Sequence, residues 1–161
     1  MRPLDATKAL SGVVDGVYTF TVNPWVDASL ALGQSHLDIP AGAICDLGSS
    51  GYGPSTWNSS CVTETRAVHI TAIVRNASTN NPSVEFAPAL RFNPAKTVQL
   101  YLYVTNAATL SNMAVVKYCG PFYATCVDES LSDASLKTTI NPTAGLVFRR
   151  IKHFSGYVVA E

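Results

Sequence analysis

The stretch Val98-Gln99-Leu100-Tyr101-Leu102-Tyr103-Val104 decides the fold class, because its side chains alternate strictly between aliphatic and polar or aromatic. Successive side chains of a β-strand point to opposite faces, so the four aliphatic residues would face a core and Gln99, Tyr101 and Tyr103 the other side. In the run at 68–74, five of the seven residues are β-branched. Both stretches predict strands.

Shorter β-rich runs flank these two stretches, and the ten glycines and nine prolines separate them into short pieces. About nine short strands, with turn signals every 8–12 residues or so, are typical of a β-sandwich. We therefore predict a single antiparallel all-β sandwich over residues 17–161, preceded by an N-terminal arm or linker at residues 1–16. The predicted strand segments are 17–22, 29–32, 36–39, 68–74, 84–86, 90–92, 98–104, 114–118, 146–152 and 156–159.

Composition excludes several classes of function. Charged residues make up 14% of the chain and the formal net charge is zero, so no basic field would attract nucleic acid. The 47% apolar content argues against disorder. No run approaches the roughly 20 apolar residues of a membrane-spanning helix, and no apolar segment follows Met1-Arg2-Pro3-Leu4-Asp5. We expect neither a transmembrane segment nor a signal peptide within this sequence.

The four cysteines indicate the compartment. They allow three pairings, of which the sequential one, Cys45 with Cys61 and Cys119 with Cys126, closes two local loops between strand-like segments. A zinc site is the alternative, but neither pair has the two-residue spacing of a zinc knuckle. We predict the sequential disulfides, an oxidising compartment, and therefore a periplasmic or secreted protein.

Three segments carry a resemblance to a known family. The segment 37–44, Leu-Asp-Ile-Pro-Ala-Gly-Ala-Ile, is similar to the "hydrophobic-Ile-Pro-x-Gly-Ala" motif of the β-sandwich domain found in zona occludens proteins, ankyrins and netrin receptors. The segment 84–94 resembles that family's approach to a central strand, and 151–157, Ile-Lys-His-Phe-Ser-Gly-Tyr, resembles its closing "Val-x-His-Phe-Ser-x-Tyr". The matches occur in the family's order, and they suggest a bacterial relative. The two cysteine loops depart from the family pattern.

The tripeptide His153-Phe154-Ser155 is the one motif to which the resemblance attaches a reaction. In some members of the family this tripeptide cleaves its own backbone. Ser155 would be the nucleophile, the Phe154 carbonyl the electrophile and His153 the base. The alternative is a structural role, in which Phe154 packs in the core. The sequence favours the structural role, because cleavage would release only residues 155–161.

Aromatic residues in the two cysteine loops are the candidate binding surface: Tyr52, Trp57, Phe122 and Tyr123. Aromatics on rigid loops serve protein or carbohydrate contacts, although these four could equally cap the core. The sequence thus predicts a non-enzymatic extracytoplasmic module that binds or braces a protein partner, such as an accessory subunit of a membrane-associated assembly. Alternatives are self-cleavage at Phe154–Ser155 and a carbohydrate-binding module.

The remaining polar residues are interpreted as solvated. His36, His69 and His153 lie on separate segments without partners at ligand spacing, so we expect neither a metal nor a cofactor. We expect a solvated acidic turn around Asp128-Glu129 and a solvent-facing basic edge at Arg149-Arg150-Lys152. No serine–histidine–acid triad can be singled out.

Overall fold

Strands form where the sequence alternates. A computed structural model describes residues 10, 12–120, 122 and 125–161. Among these residues, the alternating stretch at 98–104 forms a strand in which the aliphatic residues are buried and Gln99, Tyr101 and Tyr103 are half-exposed. The strands are β1 Val14–Val22, β2 Ala28–Leu32, β3 Ser35–Ile39, β4 Val68–Arg75, β5 Ser83–Ala87, β6 Val98–Tyr103, β7 Val115–Cys119, β8 Thr139–Asn141, β9 Leu146–Ile151 and β10 Gly156–Ala160.

The ten strands form two five-stranded antiparallel sheets, ordered β1-β4-β5-β10-β7 and β2-β3-β6-β9-β8. One continuous apolar core receives residues from both sheets, as a sandwich requires. The predicted all-β sandwich is therefore confirmed. Among the described residues, four short 3₁₀ turns join the strands, at Pro54–Thr56, Ala107–Thr109, Glu129–Leu131 and Ala134–Leu136.

Three differences from the prediction are larger than one residue at a strand end. β1 begins at Val14, within the predicted arm, and the residues at 1–9 and 11 lie outside the described part of the chain. β8 was not predicted, because its three residues lie in a polar stretch. The segment 90–92 is not a regular strand; it pairs through isolated bridges, Ile44 with Phe92 and Arg91 with His153.

Both predicted disulfides are present, Cys45–Cys61 and Cys119–Cys126. Disulfides form and persist in oxidising environments, so the pairing points to a location outside the cytoplasm. Among the described residues, no helix has the length and apolarity needed to cross a membrane.

A four-residue crossover carries the chain from one sheet to the other. β9 lies in the second sheet and β10 lies inside the first, so residues 152–155 must pass between the two layers. Phe154 packs in the core with its ring stacked 4.4 Å from Phe86 and edge-on to Phe92 at 5.1 Å between centroids. The Phe154 amide donates to the Leu90 carbonyl at 2.8 Å. This crossover contains the tripeptide 153–155.

Candidate functional site

The crossover places the Ser155 hydroxyl against the carbonyl that precedes it. Ser155 Oγ lies 2.6 Å from the Phe154 carbonyl oxygen. Because a C=O bond is about 1.23 Å long, Oγ is within about 3.8 Å of the carbonyl carbon. On its other side Oγ lies 3.2 Å from His153 Nδ1. One hydroxyl therefore faces both a potential electrophile and a potential base.

A carboxylate completes a line of hydrogen bonds behind the imidazole. Glu129 Oε2 lies 2.8 Å from His153 Nε2, and its Oε1 lies 2.7 Å from Arg149 Nη2. The His153 and Arg149 side chains are fully buried and the Glu129 side chain is 9% exposed. Arg149 also donates to the Val116 carbonyl at 3.2 Å. The carboxylate is thus held as an anion by a buried guanidinium.

These contacts fix the tautomer of His153. Burial raises the pKa of Glu129, but the His153 hydrogen bond and the Arg149 charge more than offset this and leave it below its ordinary value. Burial lowers the pKa of His153, partly opposed by Glu129. The ring is therefore neutral at pH 7, and it donates Nε2–H to the carboxylate. The Nδ1 lone pair is left facing Ser155.

Tyr52 reaches the same carbonyl from the Cys45–Cys61 loop. Its hydroxyl donates to the Phe154 carbonyl oxygen and lies 2.6 Å from Ser155 Oγ. Burial raises the pKa of Tyr52, so the phenol keeps its proton. If Ser155 donates its single proton to His153, then the Tyr52 proton is the one left for the carbonyl oxygen. That oxygen gains negative charge when its carbon is attacked.

Aromatic rings enclose the imidazole. The Trp57 ring stacks on His153 with centroids 3.9 Å apart, and the Tyr118 ring lies 4.6 Å away. The Tyr157 hydroxyl donates to the His153 carbonyl oxygen and lies 3.3 Å from Nδ1. His153 thus has few orientations open to it, which keeps Nδ1 directed at Ser155.

Two expectations about charged residues were wrong. Glu129 is not part of a solvated acidic turn: the Asp128 side chain caps the 3₁₀ turn Glu129–Leu131, and this turn directs Glu129 inward. Arg149 and Lys152 do not form a solvent-facing edge, since Arg149 lies on the buried face of β9 with Val147 and Ile151, and Lys152 pairs with Asp133 at 2.5 Å. A serine–histidine–acid arrangement is consequently present.

The four aromatic residues predicted to bind a partner do not share one environment. Tyr52 and Trp57 are at the site just described, and Trp57 is 8% exposed, which favours the core-cap alternative for it. Phe122 is 44% exposed and lies 5.8 Å from the Tyr52 ring. Tyr123 lies outside the described residues.

The other two histidines are remote from His153. His36 stacks on Tyr101 on the outer face of the second sheet, and His69 contacts Thr21 at 3.0 Å. The described part of the chain contains no group of three or more His, Cys, Asp or Glu side chains that could hold a metal ion.

No family model, curated protein or solved structure matches this chain. The resemblance to the zona occludens, ankyrin and netrin-receptor domain stays a prediction.

Proposed function

We propose that this domain cleaves its own backbone between Phe154 and Ser155. The observation that carries the proposal is the position of Ser155 Oγ, 2.6 Å from the scissile carbonyl oxygen and 3.2 Å from a neutral imidazole that Glu129 orients. A nucleophile, a base and a group that orients the base are the three parts that activated serine chemistry requires.

The first step transfers an acyl group from nitrogen to oxygen. Ser155 Oγ attacks the Phe154 carbonyl carbon while its proton passes to His153 Nδ1. The imidazolium so formed is stabilised by Glu129, as in other serine–histidine–acid sites. The C–N bond then breaks and His153 returns the proton to the departing nitrogen. The product is an ester between Phe154 and the Ser155 side chain, with a free α-amino group on Ser155.

The second step is hydrolysis. Water attacks the ester carbon, the C–Oγ bond breaks and Oγ recovers a proton. The net reaction consumes one water molecule and leaves a carboxylate on Phe154 and an ordinary N-terminal serine. The two products are residues 1–154 and residues 155–161.

The short product would stay in the fold. β10 pairs with β5 on one side and with β7 on the other, and all five of its residues are buried. A nicked domain would therefore keep its shape in native buffer. Only a denaturing separation, or mass spectrometry of denatured protein, would reveal the cleavage.

We thus place self-cleavage ahead of a structural role for the tripeptide 153–155, whereas the sequence alone favours the structural role. The sequence favours a structural role for the tripeptide because cleavage would release only residues 155–161, and it singles out neither an acid for the histidine nor a donor to the carbonyl. Glu129 and Tyr52 supply these two parts. Binding to a protein partner in the periplasm or outside the cell stays a prediction, compatible with either an intact or a nicked domain.

The test is the intact mass of the denatured protein during incubation at neutral pH. We expect conversion to the 1–154 and 155–161 fragments, faster with hydroxylamine, which opens esters and would leave a hydroxamate on Phe154. Ser155→Ala should abolish conversion, and Ser155→Cys should retain it because a thiol is also a nucleophile. Ser29→Ala, an exposed serine on β2, is the matched control. A single intact species that persists in hydroxylamine would refute the proposal.

A further inference from the structure

The loop between Cys45 and Cys61 brings one reacting group to the site and has little regular structure of its own. All of its residues are described; they include the 3₁₀ turn Pro54–Thr56 and no strand. Tyr52 lies near the middle of this segment, whose two cysteines are 16 positions apart in the sequence. The other parts of the site, at 129 and 153–155, lie outside the loop.

Side chains from outside the loop hold it at Ser50, at 58–59 and at Trp57, whose ring stacks on His153. The buried Arg91 guanidinium donates to the Ser50 carbonyl at 3.0 Å and to the Ser59 carbonyl at 2.5 Å. Lys152 donates to the Asn58 side chain. These contacts hold the loop backbone, the Asn58 side chain and the Trp57 ring, and none of them involves the Tyr52 hydroxyl. They do not by themselves fix the Tyr52 hydroxyl.

The disulfide restricts the same segment covalently. It holds the two ends with their Cα atoms 5.5 Å apart. Closing a loop of this length removes conformational freedom that the open segment would otherwise have. A hydrogen bond to a developing oxyanion is effective only when its donor is positioned in advance. The disulfide thus acts on the segment that carries the Tyr52 hydroxyl.

We infer that formation of the Cys45–Cys61 disulfide switches on cleavage by holding the Tyr52 hydroxyl on the Phe154 carbonyl. This inference rests on the proposed function. The two thiols give two electrons and two protons to a disulfide oxidant, and the closed loop then supplies the oxyanion donor. In a reducing compartment the nucleophile and base are present but the donor is not, so the chain stays intact until it is oxidised.

The experiment starts from full-length protein purified under reducing conditions. Half is kept reduced and half is oxidised with glutathione disulfide, and the intact mass of denatured samples is followed with time. We expect oxidised protein to cleave about 100-fold faster, the effect typical of removing one oxyanion donor. Circular dichroism and a melting curve on the reduced sample check that its sheets are formed.

Variants then assign the effect to one disulfide and to Tyr52. Cys45→Ser/Cys61→Ser should reproduce the reduced rate under oxidising conditions. Cys119→Ser/Cys126→Ser is the control, since it removes the other disulfide and leaves the Cys45–Cys61 loop closed, and it should change the rate by less than about threefold. Tyr52→Phe should slow oxidised protein about 100-fold with an unchanged melting temperature, and Tyr101→Phe should not slow it.

A double-mutant cycle tests whether the disulfide acts through Tyr52, even where loss of the disulfide weakens the fold. If the disulfide acts through Tyr52, then Tyr52→Phe combined with Cys45→Ser/Cys61→Ser should be no slower than either change alone. Multiplying effects would overturn the inference, as would equal rates for reduced and oxidised wild-type protein, while the proposed cleavage would stand. Absence of cleavage in oxidised wild-type protein would instead overturn the proposed function and the inference together.

Discussion

Glu64 and Glu129 are two buried carboxylates, each paired with an arginine, yet they have different neighbours. The Glu64 side chain is 2% exposed and the Glu129 side chain 9%. Glu64 accepts hydrogen bonds from the backbone amides of Leu47, Thr65 and Arg66. Glu129 instead accepts from two side chains, His153 and Arg149.

The two carboxylates differ in whether a group that donates a hydrogen bond to them can gain and lose a proton. Backbone amides do not titrate, so Glu64 can only fix the backbone at the base of the Cys45–Cys61 loop. The Arg66 hydrogen bonds, followed by those amides, lower the pKa of Glu64 to about 2. Glu129 faces an imidazole that can gain and lose a proton. Burial of a carboxylate therefore does not indicate chemistry, whereas burial against a titratable partner does.

The largest expected effect is a difference in cleavage rate between the Glu129→Gln and Glu64→Gln variants. Glu129→Gln should slow conversion about 100-fold or more, because the amide neither enforces the Nε2–H tautomer of His153 nor stabilises the imidazolium. Glu64→Gln, a matched change at a carboxylate without a titratable partner, should leave the rate close to that of the wild type. The measurement is the intact mass of denatured, oxidised protein with time at neutral pH.

Melting curves accompany this comparison, because Glu129→Gln leaves the buried Arg149 without its counter-charge. Removing one partner of a buried ion pair costs about 3–5 kcal/mol. Rates are therefore compared well below both melting temperatures. Equal slowing by the two substitutions would mean that Glu129 acts through the fold and not through His153.

The contrast also shows how far the sequence could predict this site. Alternation at 98–104 and in the other strands was enough for the sandwich, and local spacing was enough for the disulfides. Arg149 lies on the buried face of β9, but its charge and that of its neighbours suggested a solvent-facing edge. Glu129 lies 24 residues from His153 and Tyr52 lies 102 residues from Phe154, and no local pattern encodes such contacts. A non-repetitive loop and a 3₁₀ turn bring them together only once both sheets are packed.

A second prediction uses stability against pH, in Ser155→Ala protein so that cleavage does not interfere. The folded-state pKa of His153 is lowered below its ordinary 6.5, so its contribution is present above that pH and is lost as the pH falls further. The free energy of unfolding should therefore decline below about pH 6.5, by at most about 1.4 kcal/mol per pH unit for one proton. Urea unfolding at a series of pH values measures this.

Two further substitutions in the same background assign that decline. His153→Gln should remove it, because the buried titrating group is gone. Glu64→Gln should keep it, since the contribution of Glu64 is present above about 4.5 and is lost only as the pH falls from there toward about 2. Stability that is constant from neutral pH down to about 4.5 in the Ser155→Ala protein would show that His153 is not buried in its neutral form.

The smallest expected effect is a displacement of the acid limb of the cleavage rate. Cleavage needs neutral His153, so the rate should be independent of pH near neutrality and should fall only below the ordinary imidazole pKa of 6.5, because burial lowers the pKa of His153. Glu129 raises that pKa and Arg149 lowers it, and Tyr52, Tyr157 and Ser155 also face the ring.

Glu129→Gln should therefore move the limb to still lower pH while reducing the plateau, and Glu64→Gln should leave the limb in place. Rates across a pH series, fitted separately for plateau and midpoint, measure both changes. A midpoint that moves to higher pH in the Glu129→Gln protein would mean that the carboxylate does not stabilise the imidazolium, and the difference between the two glutamates would then be one of packing alone.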